Sequence, residues 1–137
     1  MRFWTRWPAA ALAVVVLATA GSVAAWAATV EGSFERTLTV TGPVELDVKT
    51  RSGSIRVRTG KAGTVHIRAT IKARSGWLEG SRDAEARVRA LEQNPPIEQD
   101  GNTIRIGHIE DRDLRRNISI SYEIVVPVET ELRSATG

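Results

Sequence analysis

The sequence predicts a mainly β domain behind an N-terminal leader. Short alternating strands are expected to form a sheet or the start of a β-solenoid, with one amphipathic helix packed on it. Three observations predict this class. Apolar residues recur at every second position after about residue 30, Gly-containing turn sequences separate these runs, and only residues 81–94 follow a helical period. We expect the β-strand-repeat domain to cover residues 32–137.

The first 28 residues differ in composition from the rest of the chain. They hold 21 apolar residues, two arginines and no acidic residue. Arg2 and Arg6 precede an uncharged, Ala-rich apolar run, and small residues follow it. This is the layout of a secretory signal peptide.

Cleavage after Ala27 is the preferred prediction and makes residues 1–27 the signal peptide, while sites after Ala24 and Ala25 stay open. The alternative is an uncleaved membrane anchor, because residues 8–28 are 21 uncharged residues and long enough to span a bilayer. Either alternative exports the rest of the chain to the periplasm, the cell envelope or the extracellular space. Contact with a membrane is expected only through residues 8–28, if the leader is retained.

The charge and cysteine content of the exported part exclude several classes of protein. With the leader's two arginines set aside, 17 basic residues stand against 16 acidic ones, which argues against a general nucleic-acid binder. The chain has no Cys, so it forms no disulfide, Cys-ligated zinc site, iron–sulfur cluster or thiol nucleophile. We expect no enzymatic activity and no cofactor.

Four strands are predicted before the helix. Their apolar residues share one face of each strand and are Phe34, Leu38 and Val40, then Val44, Leu46, Val48 and Thr50, then Ile55 and Val57, then Val65, Ile67, Ala69 and Ile71. Turn residues separate the runs, as in Thr-Gly-Pro at 41–43 and Arg-Ser-Gly-Ser at 51–54.

The second and third strands are predicted to form a hairpin. A two-residue loop at 52–53 would pair Thr50 with Ile55 on the apolar face, and it would pair Val48 with Val57 there as well. The same register would place Asp47 opposite Arg58 on the polar face, which is a favourable cross-strand pair.

The connection at residues 60–63 does not fit a simple hairpin. A four-residue loop would set Arg58 against the core residue Val65. This connection is therefore expected to contain a bulge, to use a loop of odd length, or to be a corner.

Residues 81–94 are predicted to form a helix of about three turns. Ala84, Val88 and Leu91 fall at i, i+4 and i+7, so they form one apolar stripe that should pack on the sheet, and Pro95-Pro96 end the helix. Charged residues, Arg87 among them, are expected on the solvent face. Trp77, just before the helix, is expected to pack at the junction of sheet and helix.

Strands resume after the helix. Asp100-Gly101 predicts a hairpin that pairs Ile97 with Ile104. Residues 110–116, EDRDLRR, are predicted to be a charged loop. Residues 117–126 then alternate, with five side chains pointing inward, namely Ile118, Ile120, Tyr122, Ile124 and Val126.

The chain contains a short internal repeat. VELDVKT at residues 44–50 and TELRSAT at 130–136 share a Glu-Leu pair and the final Thr. The first copy continues into Arg-Ser-Gly-Ser-Ile, whereas the sequence stops at Gly137, one residue after the second copy. We therefore expect a fragment of a longer repeat protein, with a short protein that has a frayed tail as the alternative.

These features carry a resemblance over residues 32–137. GSFERTLTV at 32–40, VELDVKTRSGSIRVRTG at 44–60 and ISYEIVVPVETELRSATG at 120–137 resemble the start of a bacterial adhesin-like family of exported β-strand-repeat domains of unknown function. The resemblance implies a stack of short strands, a role in adhesion or surface contact, an unidentified envelope or surface partner, and no catalytic residues to carry over. Toastrack-like domains of envelope-stress systems share this architecture, which leaves a membrane-anchored stress sensor as the alternative.

One surface patch is a candidate binding site for phosphate, lipopolysaccharide or nucleic acid. It combines basic side chains on the polar faces of the third and fourth strands, which the sequence places side by side, namely Arg56, Arg58, His66 and Arg68. The alternative is a solvated face balanced by Glu45 and Asp47. Because the exported part has few aromatic residues for base stacking, we expect no nucleic-acid partner.

The other polar residues do not indicate a catalytic or metal site. His66 and His108 lack a metal-ligand spacing, and no GxSxG sequence surrounds any serine. A serine triad on His66 would need a serine and an acid within hydrogen-bond reach. The acidic residues near 110–113 lack the order of an EF-hand loop, and neighbouring arginines offset their charge.

Overall fold

The computed structural model describes residues 29–75 and 80–137, without the side chains of residues 80 and 81. The predicted leader and Trp77 lie outside these residues. Within the described ranges, no helix is both long and apolar enough to cross a bilayer.

Ten elements follow one another along the described chain. They are β1 (Thr29–Thr39), β2 (Val44–Thr50), β3 (Ile55–Thr59), β4 (Thr64–Arg74), α1 (Gly80–Gln93), β5 (Ile97–Asp100), β6 (Thr103–Ile106), α2 (Arg112–Arg115), β7 (Ile118–Val126) and β8 (Thr130–Thr136). The strands form two four-stranded sheets. We call the one with order β1-β4-β7-β3 the long sheet and the one with order β5-β6-β2-β8 the short sheet.

This architecture confirms the predicted mainly β fold with a packed helix. The inward residues of both sheets belong to one apolar core, which buries Leu46 and Ile104 from the short sheet together with Ile67 and Ile124 from the long sheet. The predicted alternation of β7 is also confirmed, because all five of its inward side chains are buried. Period-two patterning therefore specified the buried face of β2, β4 and β7.

Helix α1 covers the part of the long sheet formed by β1 and β4. Its predicted stripe of Ala84, Val88 and Leu91 is buried, as expected. A Cβ at position 32 of β1 would collide with the Val88 side chain, so glycine at this position lets the helix approach the strand closely. Arg87 departs from its predicted exposure, because it is buried and donates a hydrogen bond to the Arg74 carbonyl at 3.1 Å.

The predicted hairpin of β2 and β3 is wrong. Strand β2 pairs with β6 and β8 in the short sheet, whereas β3 pairs with β7 in the long sheet. The turn between them crosses from one sheet to the other, and it is held on β7 by hydrogen bonds from Ile120 N–H to Ser52 C=O (2.9 Å) and from Tyr122 N–H to Ser54 C=O (2.8 Å). Gly53 within the turn has φ +125°, and a Cβ there would meet the Ile120 carbonyl.

Two further connections were predicted, the one at residues 60–63 and the hairpin of β5 and β6. Strands β3 and β4 are separated by β7, so residues 60–63 form a corner, which was one of the three alternatives predicted for this connection. The β5–β6 hairpin exists, but Ile97 pairs with Ile106 instead of Ile104. Its two-residue loop is Gly101-Asn102, where only the first residue has positive φ, as in a type II′ turn. Both registers place apolar residues on one face, so alternation alone did not distinguish them.

The predicted charged loop at 110–116 contains the short helix α2. Asp111 caps it by accepting a hydrogen bond from the Asp113 N–H at 2.9 Å. The cap stops this segment from being a fully extended loop, and it fixes the positions of the two arginines that bound the helix.

The two copies of the repeat pair with each other. Strands β2 and β8 are parallel and in register from Val44 beside Thr130 to Thr50 beside Thr136. Leu46 is buried between β6 and β8, whereas the equivalent Leu132 on the edge strand is 43% exposed. The repeat seen in the sequence is therefore a pair of stacked strands in the fold.

Candidate functional site

The predicted patch lies on the outer face of the long sheet, but its two strands are not neighbours. Strand β7 separates β3 from β4, and it brings Glu123 between Arg56 and Arg68 in register. Glu35 of β1 lies beside Arg68 on the other side. The result is a row of alternating charges across four strands, which is a favourable arrangement of cross-strand pairs.

The remaining patch residues lie in the next row of the same face. Arg58 and His66 both neighbour Val125 of β7, so no carboxylate lies between them in this row. The expected balancing residues, Glu45 and Asp47, are in the short sheet. Glu35 and Glu123 take their place, so the balance of charge that the sequence suggested exists, although through different residues.

A polar cluster surrounds His66 on this face. His66 Nε2 lies 2.6 Å from Glu35 Oε1, and His66 Nδ1 lies 3.0 Å from Thr37 Oγ1. Arg68 also contacts the same Glu35 oxygen at 3.3 Å. These hydrogen bonds, first from His66 and then from Arg68, lower the pKa of Glu35 below its usual value of 4.5.

This cluster has the order acid, imidazole and hydroxyl, as a hydrolytic triad does, although the hydroxyl belongs to Thr37. Its surroundings are unsuited to acyl transfer. The side chains of His66 and Glu35 are 38% and 52% exposed on an open sheet face, where water screens their charges. A triad also needs aligned donors for an oxyanion in a site that excludes water. The geometry fits a hydrogen-bonded surface cluster better than a catalytic one.

A second arginine-rich region lies where three parallel strands end. The last residues of β2, β6 and β8, together with α2 and the start of β7, enclose a cavity of about 660 Å³. Five cationic side chains line it, namely Lys49, Arg51, Arg105, Arg112 and Arg115, against two carboxylates, Glu98 and Glu110. Glu98 and Arg105 face each other at 3.7 Å, so the remaining lining has a clear excess of positive charge.

The arginines of this region also line an adjoining cleft. That cleft of about 510 Å³ is formed by Arg51, Arg112, Arg115 and Arg116. Arg116 pairs with Asp113 at 3.3 Å. By contrast, the side chains of Arg51, Arg112 and Arg115 form no hydrogen bond or ion pair within the described part of the chain, and Arg115 Nε is buried without a partner.

Tyr122 forms part of the inner wall of the cavity. The residue is 1% exposed, and its hydroxyl has no hydrogen-bond partner among the described residues. Burial raises the pKa of the Tyr122 phenol well above its ordinary value of 10, so the hydroxyl stays protonated at neutral pH. A buried hydroxyl without a partner is uncommon in folded proteins and needs a physical explanation.

His108 also borders the cavity. Its Nε2 lies 3.4 Å from Asp47 Oδ2 without forming a hydrogen bond, and its Nδ1 lies 3.3 Å from an Arg105 nitrogen. No cluster of three His, Asp or Glu side chains suited to a metal ion occurs in residues 29–75 and 80–137.

The sequence interpretation missed this cavity. It treated residues 110–116 as a solvated loop in which opposite charges cancel. An available signal was Asp111 followed by Arg112 and Arg115, because an N-cap residue and an i, i+3 spacing place both arginines on a short helix. The role of Arg51 had no comparable signal, since its position depends on the turn between the sheets.

Comparison with known proteins identifies no relative of this chain. The chain matches no protein-family model, and neither curated proteins nor solved structures give a significant match. The adhesin-like resemblance inferred from the sequence remains a prediction.

Proposed function

We propose that this chain is an exported, non-enzymatic β-repeat module of the cell envelope, which contacts a surface partner by adding an extended strand of that partner to β8. The observation that supports this function most directly is the in-register pairing of the two repeat copies. Strand addition to an open sheet edge is a common mode of recognition, in which main-chain hydrogen bonds provide affinity and side chains provide specificity.

The free edge of β8 is suited to such addition. Val44 N–H donates to Glu129 C=O and Gly137 N–H donates to Thr50 C=O, both at 3.0 Å. Because successive residues of a strand direct these groups to alternate sides, the even-numbered residues of β8 point their N–H and C=O groups away from β2. In the described sheet these groups face no further strand.

Side chains on β8 specify what such a strand should contain. Leu132 lies beside the buried Leu46 in register, on the same face of the short sheet, and it is half exposed at the free edge. Arg133 lies beside Asp47 of β2 on the outer face. A strand with a leucine and a carboxylate at the same two positions would repeat these contacts on the other side of β8.

A peptide experiment tests this proposal. The peptide VELDVKT, which copies β2, is expected to bind β8 saturably and to shift the amide NMR signals of residues 130–136. The matched control VELKVDT has the same composition but sets a lysine beside Arg133, so it should bind more weakly because like charges repel. Equal binding of both peptides, or shifts elsewhere only, would contradict the proposal.

Ser134→Pro offers a second test. Proline at this even-numbered position removes an N–H on the free edge and leaves the bonds to β2 in place. The variant should keep its fold, measured by circular dichroism, and lose binding of VELDVKT. Retained binding would show that the peptide does not extend the sheet at β8.

Whether the leader is cleaved distinguishes the contact module from the alternative function, a membrane-anchored stress sensor. Expression with the leader in a bacterial host, followed by N-terminal sequencing of the exported protein, should give a start at Ala28 for the contact module. An intact N-terminus on a membrane-bound product would favour the sensor.

A further inference from the structure

We infer that the strand-end cavity binds a small organic phosphate, with Arg51, Arg112 and Arg115 as the anion-binding groups and Tyr122 as a hydrogen-bond donor. This site includes Ala135 and Thr136 at the end of β8, and it is separate from the predicted patch on the long sheet. The inference rests on three features of the cavity, which are its unpaired arginines, its buried hydroxyl and its mixed polar and apolar walls.

The arginines provide the first argument. Arg51, Arg112 and Arg115 line both the cavity and the adjoining cleft. None of the three has a carboxylate partner among the described residues, whereas Arg68 on the long sheet pairs with Glu35 at 3.3 Å. Arginine binds phosphate through paired, charge-assisted hydrogen bonds, so an oxyanion would satisfy these groups.

The hydroxyl of Tyr122 provides the second, independent argument. It is a protonated donor, it is buried, and nothing in the described protein accepts its hydrogen bond. Leaving such a group unsatisfied costs free energy, which a bound oxygen acceptor would recover. The backbone of Gly107 lies against the same hydroxyl, because a Cβ at that position would come within 3.2 Å of it.

The size and walls of the cavity indicate an organic phosphate in place of the free ion. A volume of about 660 Å³ lies within the usual range of small-molecule sites. Apolar side chains of Ile109, Ile118 and Ile120 line it beside the arginines. The phosphate is therefore expected on the arginine side, and the carbon skeleton of the ligand against the isoleucines.

Calorimetry with three probes tests the inference on the full 137-residue chain. Glucose 6-phosphate is expected to bind more tightly than inorganic phosphate, and glucose is expected not to bind. Binding should weaken as the salt concentration rises, because it depends on charge. Absence of phosphate binding, or equal binding of glucose and glucose 6-phosphate, would overturn the inference.

Variants locate the site. Arg51→Gln and Arg115→Gln should each weaken glucose 6-phosphate binding roughly tenfold or more, as loss of a charge-assisted hydrogen bond predicts. Arg56→Gln and Arg58→Gln on the long sheet remove the same charge elsewhere and should leave the affinity unchanged. Circular dichroism confirms that each variant is folded. Equal losses in both sets of variants would show non-specific attraction to a basic surface and would contradict the assigned site.

Tyr122→Phe separates the hydroxyl from the charges. It should weaken binding of glucose 6-phosphate several-fold while leaving the salt dependence as in the parent protein. Unchanged affinity would remove Tyr122 from the site.

Discussion

The outer face of the long sheet and the strand-end cavity are both rich in arginine, yet they differ in how the charge is compensated. On the sheet face, strand register places Glu123 between Arg56 and Arg68. In the cavity, the side chains of Arg51 and Arg115 form no ion pair with a carboxylate among the described residues, although Glu98 and Glu110 belong to the same lining. The comparison teaches that the number of basic residues in a segment does not identify an anion site. The positions of carboxylates contributed by other segments must be known as well.

The largest expected effect comes from the turn that connects the two regions. Gly53→Ala should lower the free energy of unfolding by about 3 kcal/mol, because φ is +125° and the added methyl group meets the Ile120 carbonyl. Gly101→Ala is the matched control, since φ is also positive but no atom lies near the added Cβ. It should cost about 1 kcal/mol. Urea unfolding measures both, and equal losses would mean that contact with β7 contributes nothing.

Two buried hydroxyls on the cavity wall are expected to contribute differently to the free energy of unfolding. Thr50 Oγ1 donates to the Ile120 carbonyl at 2.8 Å, so Thr50→Val should cost about 1–3 kcal/mol by leaving that carbonyl unpaired. Tyr122→Phe removes a hydroxyl without a partner, and it should leave the free energy of unfolding within about 0.5 kcal/mol of the parent or raise it. Thermal unfolding of the two variants and the parent protein, in buffer without phosphate, measures both changes in stability. A clear loss for Tyr122→Phe would reveal an internal partner.

A substitution on the sheet face should make that face resemble the cavity. Glu123→Gln removes the carboxylate between two arginines, and we expect weak phosphate binding to appear there, seen as NMR shifts of the Arg56 and Arg68 side chains. Stability should change by less than about 0.5 kcal/mol, because Glu123 is exposed and attractions between exposed charges contribute little. Phosphate binding at Arg56 and Arg68 in the parent protein would contradict this prediction, because it would show that Glu123 does not suppress anion binding on the sheet face.

The smallest expected effect concerns pH. The pKa of Glu35 is lowered in the folded protein, mainly by its hydrogen bond with His66. Its contribution to stability is therefore present above pH 4.5 and is lost as pH falls below that value through the lowered pKa. His66→Leu should raise the pKa of Glu35 toward 4.5, measured by NMR titration of its carboxyl carbon. An unchanged pKa would assign the shift to Arg68 instead.

Alternation and turn chemistry predicted much of the fold. They correctly identified the inward face of β7 and the apolar stripe of α1, and a corner at residues 60–63 was one of three alternatives that they left open. They failed at the partner of β2, because a hairpin of β2 and β3 and the observed parallel pairing bury the same side chains. Local patterning does not distinguish strand partners that satisfy the same faces.

The candidate sites were also predicted only in part. The patch residues were correctly placed on the polar faces of their strands, but their neighbours were wrong, because Glu123 is more than fifty residues away along the chain. The cavity was not predicted, since it combines a turn, a short capped helix and the ends of three strands.

The sequence by itself determined the buried face of the central strands and of α1, the positions of most turns, and that residues 44–50 and 130–136 share a pattern. These properties depend on side chains close together in the chain, whose period matches the geometry of a strand or a helix. The tertiary structure alone decided which strands pair, which carboxylate neutralises which arginine, and that Arg51 and Arg115 surround one cavity with Tyr122. Those outcomes depend on contacts between distant segments, and short-range patterning carries no information about them.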